Sequence, residues 1–231
     1  MIDHSALAHV LLPTSIISIV LASIFAGQSF KMYKIAQSQF LLGLVIGFAS
    51  IALGDFFLLI TATFGPILES SQYNLLYWYR LIFLSAGFVF IALTYHYRSK
   101  QDQQIPLLKI GIAAFIMTGI VLFLTNITMQ LPGPTIANQS NFLFRLFNVI
   151  ILAYIVKSSL QYVAQKNGPI HVPFAFMILL MGQFSVLIFS IDGSVAARIA
   201  SNILRDVGLF ILVWSVFVKN KAGISTTKIQ S

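Results

Sequence analysis

A chain of 231 residues that is 58% hydrophobic and only 9% charged, with a mean hydropathy of +0.90, lies far from soluble domains, in which about 25% of residues are charged. The net charge of +8 resides on lysines and arginines that mostly stand singly at segment ends, with no basic run to follow a phosphate backbone, which removes nucleic acid as a partner. The absence of cysteine excludes disulfides, iron–sulfur clusters and thiolate zinc sites. The composition is that of an all-α integral membrane protein, with the lipid bilayer as its first partner.

Seven apolar segments are each near the roughly 20 residues needed to cross a hydrocarbon core. They fall at 8–29, 39–64, 75–97, 106–125, 141–164, 172–191 and 196–218. The first is read as a retained helix. Met1-Ile2-Asp3-His4 lacks the positive start of a signal peptide, and the apolar run is too long for one. Pro13 sits in its first turns, where proline is tolerated.

Basic residues in the connections set the expected orientation. Lys31 and Lys34 follow the first segment, Arg98 and Lys100 the third, Lys157 and Lys166 end the fifth, and Lys219, Lys221 and Lys228 lie in the tail. The alternate connections carry Glu69 and Asp192 and almost no lysine or arginine. The positive-inside rule then places the N-terminus outside and the C-terminus inside a plasma or cytoplasmic membrane. Tyr73, Tyr77, Trp78 and Tyr79 crowd the outer end of the third segment as an interfacial aromatic band.

Three segment pairs align. Gly87 to Arg98 matches Gly208 to Lys219 without gaps, and Phe56 to Gly65 matches Phe184 to Gly193. The first and fifth segments both end in a Ser…Tyr…Ala-Gln pattern, Ser29 to Gln37 against Ser158 to Gln165. Two parallel three-helix repeats, 8–98 and 141–219, joined by a linker helix at 106–125, account for this 3+1+3 layout. The whole chain forms one seven-helix transmembrane domain.

The polar residues inside these segments are the candidate site. On the seventh segment Arg198, Asn202, Arg205 and Asp206 share one stripe at about 100° per residue. Each such charge costs about 2.5–3.5 kcal/mol at the centre of a span, so it faces the bundle interior and needs partners. Asp55, Arg80, Arg145, Asn148 and Gln183 lie at matching depth between the outer face and the midplane, and an Asp55–Arg80 pair is allowed by that depth. Arg80, Arg145 and Arg205 outnumber Asp55 and Asp206, and a buried surplus of cations calls for an anion. The expectation is an outward-opening pocket, lined by Asp55, Arg80, Arg145, Asn148, Gln183, Asn202, Arg205 and Asp206, for a small anionic ligand or lipid headgroup. The competing reading makes these residues structural clamps.

Gly43, Gly47, Ser50 and Gly54 form a small-residue stripe on the second segment, read as intramolecular helix packing in preference to a homo-oligomer interface. His96 and His171 fall at inner ends at similar depth and are read as interfacial histidines rather than a bis-imidazole haem or metal bridge. Asn126-Ile-Thr128 and Asn138-Gln-Ser140 fit the glycosylation sequon in an outer connection. No nucleophile elbow, phosphate loop or zinc helix appears, so nothing points to catalysis, and no cofactor or metal is implied.

The layout resembles the microbial rhodopsins in span number and outer N-terminus, but a retinal lysine would be needed mid-span in the last segment, where Arg205 and Asp206 stand and no lysine precedes Lys219. It is similar to the SWEET sugar transporters in topology alone, since the fifth segment has no proline. Three functional readings follow: a ligand-responsive, receptor-like module or accessory subunit working with a membrane partner, a small-solute transporter with parallel repeats, and a structural subunit of a membrane complex.

Overall fold

Apolar runs of this length satisfy their backbone groups in hydrocarbon as helices. The structure, a computed structural model, describes residues 4–64, 67–98, 111–112, 116, 119, 134–166, 169–192 and 194–227, and among them there is no strand. The helices are α1 (His4–Ala36), α2 (Gln39–Phe64), α3 (Ser70–Arg98), α4 (Pro134–Lys166), α5 (His171–Asp192) and α6 (Val195–Thr227). All six are long and apolar enough to cross a membrane. The last three carry the fifth, sixth and seventh expected segments, and the fourth, 106–125, lies outside the described residues apart from Gly111, Ile112, Ile116 and Gly119. Several helices outrun their apolar segments, α6 to Thr227 against an expected 218, because hydropathy marks the hydrocarbon slab while helical hydrogen bonds continue into the interface. The α1–α2 turn is tight: Gln37 takes a left-handed φ of 49° while its N–H donates to Tyr33 O at 2.7 Å.

The helices close a ring. Each packs on its chain neighbour, α3 packs on α4, and α6 returns to α1. Tyr77 and Arg145 meet near the starts of α3 and α4, and His96 meets Tyr154 farther along both, so these two helices run in the same direction. Pro134, the first residue of α4, therefore lies at the end at which α3 begins.

Exposure runs opposite to that of a soluble protein. On α5, Phe174, Met177, Met181, Phe184 and Ile188 are exposed at three- and four-residue spacing, and on α6 so are Ile203, Val207, Phe210, Trp214 and Phe217. These stripes face lipid, whereas Asp55, Arg145, Asn148, Gln183, Asn202 and Arg205 are buried inside the ring. This is a multi-pass membrane bundle.

Glycines bring α2 close to α3 and α5 close to α6. A Cβ on Gly54 would lie 3.2 Å from both Arg80 O and Leu84 N of α3, and one on Gly182 would lie 3.1 Å from Ser201 O and 3.5 Å from Arg205 N of α6. A Cβ on Gly87 would meet Gly47 O at 2.7 Å and the Ile51 side chain; one on Gly208 would meet Ala175 O at 3.1 Å and the Leu179 side chain. Gly43 and Gly47 likewise abut Thr94 and Ile91, so the glycines of the α2 stripe pack within the chain.

Along the ring axis the interior has three levels. The arginine layer lies toward the end where α2 stops and α3, α4 and α6 begin, here the arginine end. Below it Phe48, Ile51, Leu84, Leu152, Leu179 and Leu209 fill the middle as a packed apolar layer. At the opposite end, which bears Lys31, Lys34, Lys157 and Lys166 and is here the lysine end, a cavity opens among the helix termini.

Candidate functional site

Asp55 lies nine residues before the end of α2, while Arg80, Arg145 and Arg205 lie ten or eleven residues after the starts of α3, α4 and α6. At about 1.5 Å per residue all four sit at nearly one depth. Ring closure then decides which of them meet.

Arg205 Nη1 donates to Asp55 Oδ1 at 2.7 Å, and the side chains are 7% and 1% exposed. Ser18 of α1 donates its hydroxyl to the other carboxylate oxygen at 2.5 Å. Both Asp55 oxygens are thus engaged, one by the adjoining helix α1 and the other by α6, which packs on the other flank of α1. The Asp55–Arg80 pair allowed by depth gives way to Asp55–Arg205. The close contact of α2 with α3 at Gly54 leaves Arg80 a neighbour of Asp55, within electrostatic range and without a hydrogen bond to it.

The remaining cations are under-partnered. Arg80 stands within electrostatic range of Arg145, Arg205, Asp55 and Tyr77, and its Nε is buried with no hydrogen-bond partner among the described residues. Arg145 donates from Nη2 to Tyr77 OH at 2.9 Å, while its Nε has no partner among them. Arg205 keeps Nε and Nη2 without partners there; Asp206 Oδ1 is 3.9 Å from that Nε, too far for a hydrogen bond. Arg198 sits in the first turn of α6 with its guanidinium 5.2 Å from the Phe189 ring centre.

Of the expected site residues, Asp55, Arg80, Arg145, Arg205 and Asp206 form one electrostatic cluster. Asn148 is 1% exposed one turn beyond Arg145, with neither amide atom bonded among the described residues. Gln183 and Asn202 are buried on α5 and α6 and make no hydrogen bond to these charges among the described residues. Two participants were not expected. Ser18 resembles any hydroxyl in an apolar helix, such as Ser15, which bonds Leu11 O of its own helix at 2.7 Å. Tyr77 reads as part of the interfacial aromatic band, although its place three residues before Arg80 puts both on one helix face.

At the other end His96 Nδ1 shares a 2.5 Å hydrogen bond with Tyr154 OH, and His171 Nε2 is buried without a partner among the described residues. No group of three metal-ligating side chains occurs among the described residues. Comparison with protein-family models, curated proteins and solved structures finds no match for this chain.

Proposed function

We propose that this protein is a ligand-responsive membrane module, a receptor-like or accessory subunit, whose cation-rich layer takes a small anionic ligand or an anionic lipid headgroup. The observation that carries this reading is the charge imbalance. Asp55 is already shared by Arg205 and Ser18, so Arg80 and Arg145 stand beside it with buried nitrogens that no carboxylate of the described residues answers. An uncompensated buried cation is costly, and an anion between Arg80, Arg145 and the open side of Arg205 supplies the missing charge and acceptors. One-sided placement supports reception over passage, because the apolar layer of Phe48, Ile51 and Leu84 lies directly behind the site.

The test is the melting temperature of the protein in zwitterionic nanodiscs, titrated with acetate, sulfate and phosphate and repeated with an anionic lipid. At least one of these anions raises it in the native protein and leaves Arg80→Gln unmoved. If none of them does, the layer is a set of structural clamps. Flux of labelled anions into proteoliposomes separates binding from transport.

A transporter is the second reading, supported by the repeat. Extended toward the N-terminus, the alignment of the second and sixth segments puts Gly54 on Gly182, Gly47 on Ala175 and Ile51 on Leu179; that of the third and seventh puts Arg80 on Ser201 and Leu84 on Arg205. Those are the pairs that make the matching glycine contacts. With the ring closed through α3–α4 and α6–α1, this favours two parallel halves about a pseudo-two-fold axis along the membrane normal. Anion accumulation in the vesicles would select this reading.

A further inference from the structure

We infer that the cavity at the lysine end is a second binding site, for an uncharged single-chain amphiphile carrying a hydroxyl at one end. The cavity holds about 290 Å³, at the lower edge of the range usual for small-molecule sites, about 300–1,000 Å³. It is separate from the arginine layer, with the packed middle of the bundle between them.

Its lining selects the chemistry. Phe25, Leu44, Phe176 and Leu212 give an apolar wall, and among the described residues no lysine, arginine, histidine, aspartate or glutamate lines it. A charged head would lose its hydration there without a counter-charge, which excludes carboxylates, phosphates and ammonium groups as occupants. The polar features are hydroxyls: Ser29, Ser159 and Ser215 are nearly fully buried, with Tyr95 and Tyr162 beside them. Ser159 donates to Val156 O at 2.9 Å and Ser215 to Leu212 O at 2.7 Å, each leaving its oxygen able to accept a hydrogen bond. Apolar walls with a few neutral acceptors match a hydrocarbon chain ending in an alcohol. The supply is at hand, because the cavity lies among helix ends at the level of the membrane interface.

Both halves build the cavity from matching positions. The alignments pair Leu41 with Pro169, Leu44 with Val172 and Tyr95 with Val216, and all six residues line it. An occupant therefore touches both halves at once and stabilises whichever arrangement of them the cavity requires.

The test uses the full chain in nanodiscs with a diazirine-bearing 1-decanol, and with decanoic acid bearing the same diazirine, at a pH where the acid is ionised. Adducts mapped by mass spectrometry are expected at cavity residues such as Met32 and Tyr162, saturating and displaced by excess unlabelled 1-decanol. Labelling by the decanoate there is expected to be lower by about tenfold or more. Filling the space with Ser159→Phe, or with Val163→Trp if the first variant does not fold, removes the cavity adducts and leaves labelling of the lipid-facing α6 stripe intact. Labelling that does not saturate, that is confined to the lipid-facing stripes, or that is equal for alcohol and carboxylate overturns the proposal.

Discussion

Asp55 is the residue on which the polar interior turns, because α1 and α6 both bond to it, one at each carboxylate oxygen. Removing one member of a buried ion pair strands the other, at a cost of about 3–5 kcal/mol. Asp55→Ala is therefore expected to lower stability by about that amount in denaturant titrations of the reconstituted protein. Under the proposed repeat Asp55 aligns with Gln183 and Arg205 with Leu84, an uncharged pair. The double variant Asp55→Gln with Arg205→Leu installs that pair and is expected to recover most of the loss; a double variant no more stable than Asp55→Ala would refute the equivalence. At this scale the sequence was informative about which residues are buried and uninformative about who bonds whom. A charge inside an apolar run has few places to go, so Asp55, Arg145 and Arg205 stood out. Depth is a single coordinate, however, and the choice of Arg205 over Arg80 depends on the angular position of each helix in the ring, as does the recruitment of Ser18.

Helices were legible for the opposite reason. Hydrocarbon leaves a backbone so few options that an apolar run nearly dictates its own structure, and the described segments came out as expected, with ends displaced into the interface where hydropathy is silent. Glycines carry the packing. A methyl group on Gly87 would sit 2.7 Å from Gly47 O, a backbone atom that cannot swing aside, whereas one on Gly27 would meet nothing within 4 Å. Gly87→Ala is expected to cost about 1–3 kcal/mol by forcing α2 and α3 apart. Gly27→Ala should raise stability by up to about 1 kcal/mol through helix propensity alone. Thermal melts of the two variants in one lipid would check this, and equal effects would contradict the close approach of α2 and α3. That approach was readable from the spacing of Gly43, Gly47 and Gly54; its partner helix was not, since a small-residue stripe names no partner.

For the whole molecule, the order of helices around the ring lay beyond the sequence, because every segment is apolar enough to neighbour any other. Orientation rests on the distribution of lysine and arginine, and the cysteine-free chain offers a direct check. Single cysteines at Gln72→Cys, at the arginine end, and Ile170→Cys, at the lysine end, should react with an impermeant maleimide from opposite sides of intact cells. Labelling of Gln72→Cys from outside and of Ile170→Cys only after permeabilisation is expected; the reverse pattern inverts the topology. The 3+1+3 repeat is legible only as three short alignments, because apolar segments share so few residue types that a duplication leaves little to compare.

The apolar middle of the bundle also has an electrical consequence. Phe48, Ile51 and Leu152 are buried beneath the arginines, and these side chains offer a file of water no polar foothold. In the reading proposed above, an anion taken up among the arginines stays on one side of that layer, so its binding does not by itself let protons or salt through.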